Sequence, residues 1–369
     1  MSIDSVVILS PFRWDDAWIT SQYLAVEFAK RIPVVYVEPA PMWNPRCIRF
    51  NLHHLAQSLL HPRRRNTGVH IIVPRTVPFG RIGRLRQANH ALYRRFLGAS
   101  CSSLGLAQPL YWVYYYEGCT KNIPPGPLVY HCIDFMSQAE EKELCVLADI
   151  VLAVNEPLYR RCRALNSNTF LVPNGVYMKW FQDQEHAPVQ LPKGKVIGFV
   201  GTISPNTNIS LLTNIARAYP ECNLVLVGPL WKRRDSALRT LAALPNVHMV
   251  GPRGAHEMPA YIRSFDVCLM PYSGLERIWY LDPLKLLQYL ACGKPIVTPD
   301  IPAIEQYRDM CYVAQDDTDF LRLVGLALRE HPDPALVHRR VSAATARDWP
   351  LIATRAWDIC AAAQFSRLP

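Results

Sequence analysis

The sequence predicts an α/β protein made of two doubly wound domains that face one cleft. Three observations carry that reading. Short apolar runs alternate with helical apolar patterns in both halves of the chain. A polar, proline-bearing stretch around Asp183, Glu185, Pro188 and Pro192 interrupts the alternation midway. The length of 369 residues allows two substantial cores.

Composition narrows the class. Half of the residues are hydrophobic and 19% are charged, which is globular and slightly apolar. The 11 cysteines include no CxxC pair, and several (Cys132, Cys222, Cys268, Cys292) fall inside apolar patterns. Free buried thiols in a reducing compartment follow from this, rather than disulfides or zinc, and no metal is expected. The start of the chain has no basic flank, the apolar run from Val6 to Leu9 is too short for a signal peptide, and no stretch reaches the length of a membrane span. A cytoplasmic location is the expectation.

In the first half, residues 6–10 read as a buried strand, 20–31 as a helix and 33–39 as the next strand. The turn between the first strand and helix holds no glycine, so GxGxxG is absent and a nicotinamide enzyme is disfavoured. Trp14 and Trp18 in that turn are spaced to pack on one another. Residues 46–95 contain no acid and eleven arginines, among them Arg63, Arg64, Arg84, Arg86, Arg94 and Arg95. Within this stretch, 81–96 reads as a basic amphipathic helix. Its face suits anionic lipid headgroups, as peripheral contact at the inner face of the membrane, or a pyrophosphate-bearing acceptor; a merely solvated arginine face is the alternative. Nucleic acid is disfavoured because no stacking aromatics or binding module accompany the charge. Strands follow at 69–75, 109–116, 127–134 and 149–154, with a helix over 139–148. His131 and Asp134 fall at a strand's carboxyl end, where open α/β sheets place ligands. His131 is either a base or sugar-binding group or a hydrogen-bonded structural residue.

The second half restarts at 196–204, a strand ending in the small-residue turn Gly201-Thr202, with a helix from about Asn208. Strands at 223–229 and 247–252 come next, and Arg253 opens the loop after the second. Tyr272 and Glu276 lie in the loop that leads to Asp282-Pro283-Leu284-Lys285. There Asp282 reads as an N-cap, Pro283 as the first helical residue and Gly293 as the stop. A helix start carrying Lys285 offers amides, a dipole and a cation to a phosphate; a packed helix with a solvated lysine is the plainer reading. The acidic run Asp316 to Asp319 reads as a helix cap rather than a metal-binding DxD.

Several blocks share a resemblance. The run from Asp282 to Val297 resembles the "sPlKlyEYlAaGkPvV" block of nucleotide-sugar glycosyltransferases of the GT-B fold, the group 1 or family-4-like set. Residues 127–134 resemble that set's "vYdc.Dd" strand, with His131 replacing the usual acid and Asp134 kept; 171–181 resemble "llPNGvd..yF". Residues 197–216 resemble "igyvGtls…d..ll..iA", and 251–271 resemble "G.r.y.elp.yl..fDvcliP". The resemblance implies two Rossmann-like domains: 1–180 on the acceptor side, a linker over 181–194, a nucleotide-sugar domain over 195–346, and a final helix within 347–369 that rejoins the first domain. It also implies a metal-independent, retaining transfer of a sugar from a nucleotide-diphosphate donor, UDP or GDP, with no further cofactor. The acceptor would be a hydroxyl on a lipid-linked or cell-surface glycan intermediate, or on a natural product. Gly201, Thr202, Tyr272, Glu276, Pro283, Leu284 and Lys285 would face the donor's phosphates and sugar, Gln288 the ribose and Arg253 the base. His131 or Asp134 would face the acceptor. Where relatives carry two glutamates, this chain has Tyr280 and Gln288. A carboxamide bonds a ribose without the strength that charge adds. That motivates an alternative, an inactive protein that binds a nucleotide sugar or a partner. An epimerase of the same fold is disfavoured by the lack of paired carboxylates in the first half.

Overall fold

The computed structural model describes residues 3–16, 18–40, 63–64, 67–74, 83–116, 118–136, 139–183, 189–231, 235–273, 276–331, 333–363 and 365. Arg46, Arg49, Arg65, Arg75 and Arg81, expected to form part of a basic face, fall outside them. The chain forms two compact units, Met1–Pro173 with Ile352–Pro369, and Asn174–Leu351.

The first unit is built on an eight-stranded sheet of order β3-β4-β2-β1-β5-β6-β7-β8. Its strands are β1 (Ser5–Leu9), β2 (Val34–Val37), β3 (Arg63–Arg64), β4 (His70–Ile72), β5 (Pro109–Val113), β6 (Leu128–Cys132), β7 (Ile150–Ala153) and β8 (Thr169–Leu171). All neighbours pair in parallel except β3 with β4. Helices on both faces explain why β1, β6 and β7 are buried along their whole length and read as unbroken apolar runs. The strand order turns back between β1 and β5, which makes their carboxyl ends the switch point of this sheet. Trp14 and Trp18 do pack edge-on, with ring centroids 5.6 Å apart. The last helix, Trp349–Ala362, supplies Trp357 against Phe28 at 6.0 Å and Thr354 to Arg31 at 2.6 Å.

The second unit carries a wholly parallel sheet of order β11-β10-β9-β12-β13-β14. The strands are β9 (Val196–Val200), β10 (Asn223–Val227), β11 (Val247–Gly251), β12 (Val267–Leu269), β13 (Ile296–Pro299) and β14 (Tyr312–Ala314). Alternation along them sorts side chains into two cores. Val196, Val200, Val225, Val227 and Cys268 join one, while Ile197, Phe199, Leu224, Leu226 and Val267 join the other. Gly198 sits between the partners of the first core because Phe265 fills its place: a Cβ there would lie 2.0 Å from the ring. Arg340 is buried to 1% exposure, and it is satisfied by Met310 O, Gly293 O and both oxygens of Glu330. Removing one partner of such a buried pair costs about 3–5 kcal/mol.

The chain enters this unit at Asn174, ahead of the boundary expected at 180. The short helix Met178–Gln182 explains the difference, since Met178 and Phe181 belong to the second unit's core. Entering and leaving segments pair there through Val176 and Asp348. The helix expected from about Asn208 starts there, capped by that side chain, and Asp316 caps its helix as read from sequence, accepting from Asp319 N at 2.8 Å. One cap is corrected. Pro283, not Asp282, holds the N-cap position of the Leu284–Ala291 helix, and no side chain caps it. Among the described residues no helix is long and apolar enough to cross a membrane, and no group of His, Cys, Asp and Glu could hold a metal.

Candidate active site

The order of the second sheet turns back between β9 and β12, so ligands are expected at the carboxyl ends of these two strands. β9 is followed by Gly201, whose φ of +124° is open to glycine and strained for other residues. Its N–H donates to Val227 O at 2.9 Å, and a Cβ on Gly228 would come within 2.1 Å of Gly201 O. The ends of β9 and β10 are thus pressed together, and the turn presents backbone rather than side chains. The loops after β9 and β12 are stitched by Asn208 N to Pro271 O at 2.7 Å, Ser273 N to Asn206 O at 2.9 Å, and a bridge between Thr207 and Tyr272.

Lys285, in the first turn of the Leu284–Ala291 helix, reaches into this corner. A Cβ on Gly201 would sit 3.2 Å from both its Cε and its Nζ. The ammonium lies 4.2 Å from the Phe199 ring centre and 5.1 Å from that of Tyr272. Such ring faces attract a cation but do not neutralise it. Among the described residues no carboxylate or carbonyl pairs with it. Burial without a counter-charge pushes Lys285 down to about 7. Burial also pushes the Tyr272 phenol up, with Asp282's charge adding to it. An uncapped helix start, a backbone turn and a cation without an anion therefore meet at one point, and that combination favours a phosphate.

Tyr289 fixes the geometry beneath. Its buried hydroxyl accepts from Val200 N at 3.0 Å and donates to Leu269 O at 3.2 Å. The β9–β12 register ends at Gly198 and Cys268, so this hydroxyl spans the two strands just where they part. The sequence motif contains Tyr289, but its role was illegible there because both partners are remote in the chain.

The other expected residues are placed as follows. Gly201, Tyr272 and Lys285 come together, with Pro283 and Leu284 at the same helix start. Thr202 and Gln288 are partly buried. Arg253 is exposed beyond the end of β11, the outermost strand, with Nε on Tyr261 Oη at 2.8 Å. Glu276 opens the turn Glu276–Tyr280; its side chain lies outside the described residues. In the first unit, His131 is buried at 1% exposure, stacked on Tyr114 at 5.3 Å and edge-on to Trp112 at 5.7 Å. Burial pushes it down to about 3, so it is neutral at physiological pH. Asp134 is partly exposed and accepts from Phe135 N at 2.8 Å.

A network not read from sequence lies behind the helix start. Asp282 Oδ2 accepts from Asn174 N and from an Arg347 guanidinium nitrogen, each at 2.7 Å. Asn174 Nδ2 donates to Asp282 O at 2.8 Å, and Arg347 Nε donates to Asn174 O at 2.7 Å.

Known proteins match this chain in two ways. The family model for group 1 glycosyl transferases matches residues 194–327. TuaH of Bacillus subtilis (strain 168), named as a teichuronic acid biosynthesis glycosyltransferase, is 31% identical over 186 residues, 48% of this chain and 47% of the relative. The aligned region thus spans about half the length of that relative. Sucrose-phosphate synthase from Thermosynechococcus elongatus shares the fold with a TM-score of 0.71 at 16% identity, over 97% of this chain and 98% of the other. HepE from Anabaena, in complex with UDP and glucose, aligns with a TM-score of 0.65 at 13% identity over 97% and 99%. An E. coli trehalose-6-phosphate protein bound with UDP-2-fluoro glucose aligns at 0.68 and 9% over 96% and 98%.

Proposed function

We propose that this chain, a GT-B protein of two Rossmann-like units with a group 1 glycosyltransferase domain over residues 194–327, transfers a sugar from a nucleotide-diphosphate donor to an acceptor hydroxyl. The observation that carries the reading is the Lys285 ammonium, held beside Gly201 with no anion paired to it among the described residues. In the reaction, negative charge grows on the leaving diphosphate as the sugar departs. The Lys285 ammonium, the amides of the uncapped helix start and the Gly201-Thr202 turn would stabilise it, with no metal required. Gln288, one turn along the helix, would hold the ribose, and Arg253 would border the base. Tyr272 and Glu276 would flank the sugar and its phosphates. A uridine donor is supported by the two structural neighbours that hold UDP or a UDP sugar. Retention of configuration is the outcome that the family resemblance supports.

For the acceptor, a cell-surface polymer intermediate is supported by the relative named for teichuronic acid biosynthesis. Of the first unit's candidates, Asp134 is the one open to solvent, while neutral His131 is enclosed by aromatic rings. Contact with an anionic membrane at its inner face is supported by the Gly83–Ser103 helix. Leu85 and Leu92 are about two-fifths exposed on it, Arg86 and Arg95 are exposed, and its sequence holds no acid.

A screen of UDP, GDP, dTDP and ADP sugars for thermal stabilisation tests donor binding and names the base. With the donor so found, Lys285→Ala is expected to weaken binding at least about tenfold, the scale of one lost charge-assisted contact; unchanged affinity would sink the proposal. A second reading, an inactive donor-binding protein, is favoured by Gln288 standing where relatives carry a glutamate. Tight donor binding with neither hydrolysis nor transfer over a wide acceptor panel would select it.

A further inference from the structure

We infer that Arg347 and Asn174 are positioning residues that hold the Asp282 carboxylate away from the start of the Leu284–Ala291 helix, leaving its first amides open to the donor's diphosphate. This rests on reading that helix start as the diphosphate site.

Aspartate at the N-cap of a helix ordinarily turns its carboxylate onto the first-turn amides. In this chain Asp235, Asp316 and Asp333 all do so. Asp282 stands one residue further out, before the N-cap Pro283; its carboxylate does not reach back to the helix, and the helix start is left without a side-chain cap. Its carboxylate is bound from behind instead, by Asn174 N and Arg347, each at 2.7 Å. The clamp is closed on itself. Arg347 Nε takes Asn174 O at 2.7 Å, Asn174 Nδ2 takes Asp282 O at 2.8 Å, and Arg347 reaches Tyr307 Oη at 3.4 Å. Both Asp282 and Arg347 side chains are 12% exposed, so the pair is largely shielded from salt and water. Burial pushes Asp282 up, with the Arg347 charge and the Asn174 amide acting against it.

The consequence is electrostatic. A carboxylate tethered next to the helix start would act as an intramolecular competitor at high effective concentration, occupying the amides and cancelling the dipole that a diphosphate needs. Asn174 and Arg347 come from the segments where the chain enters and leaves this unit, where Val176 pairs with Asp348. The arginine's fork lets one side chain hold the carboxylate and the backbone of Asn174 together, which a lysine cannot do.

The test measures UDP and inorganic pyrophosphate binding by calorimetry on the full chain, with folding followed by thermal melting. Arg347→Gln is expected to weaken both ligands about tenfold, the effect of an added anion at a partly buried helix end. Arg347→Gln combined with Asp282→Ala is expected to regain most of that loss, because the competing carboxylate is gone. Arg347→Lys should show a smaller loss, again relieved by Asp282→Ala, and covers the case in which the glutamine variant does not fold. A double variant no better than the single one would overturn the inference and leave the donor-site reading intact, since the loss would then be structural. Wild-type protein that binds none of UDP, GDP, dTDP, ADP or pyrophosphate would overturn both.

Discussion

At the scale of single residues, the proposed chemistry turns on whether Lys285 is charged. An ordinary lysine stays protonated well past physiological pH, but burial between Phe199 and Tyr272 brings this one down to about 7. Below that value the ammonium is present; above it the group is neutral and attracts no diphosphate. Nucleotide affinity should therefore be flat below pH 7 and weaken by up to about tenfold per unit above it, as one proton per bound ligand must then be supplied. Calorimetry across pH 6 to 9 checks this, and Lys285→Ala should abolish the slope. The residue's identity was legible in the sequence. Its surroundings were not, because the rings of Phe199 and Tyr272, with no counter-ion among the described residues, are brought to it only by the fold.

Among the elements, two strands store testable energetics. Tyr289 ties Val200 N to Leu269 O where β9 and β12 diverge. Tyr289→Phe leaves a buried N–H without its acceptor and should cost about 1–3 kcal/mol in unfolding free energy. Donor affinity should fall with it, since Gly201 follows directly on Val200. In β6, His131 has its folded value lowered to about 3 by burial, while the unfolded chain keeps the ordinary one. Between those values the unfolded state binds a proton that the folded state does not. Stability contributed by the neutral ring is thus lost as pH falls from the unfolded value toward 3, at about 1.4 kcal/mol per pH unit. Denaturant melts of His131→Phe should be flatter over that range than those of the wild type. The sequence left this histidine open between base and structural residue. Its stacking on Tyr114 is set by the β5–β6 pairing, which brings neighbouring strands side by side.

For the molecule as a whole, the proposed membrane contact is tested through charge placement and exposure. The net charge of +10 includes an acid-free stretch over 46–95, and the Gly83–Ser103 helix turns leucines as well as arginines outward. Vesicles with anionic lipid should sediment the protein and zwitterionic ones should not. The binding should weaken as salt rises from low to physiological levels. Leu85→Glu with Leu92→Glu should reduce it with the fold intact, because both side chains are exposed. Equal binding to both vesicle types would remove the membrane from the reading.

The sequence by itself determined the two α/β halves, the small-residue turn after β9, the helix that carries Lys285 and the family those blocks resemble. These are local quantities: hydrophobic period, turn chemistry and motif spacing act between near neighbours in the chain. The tertiary structure decided what depends on remote partners. It moved the start of the second unit to Asn174, took Asp282 off the helix it was expected to cap, gave Tyr289 its two strands and closed His131 among rings. A carboxylate can serve either the amides beside it or an arginine far along the chain, and only folding brings that arginine within 2.7 Å.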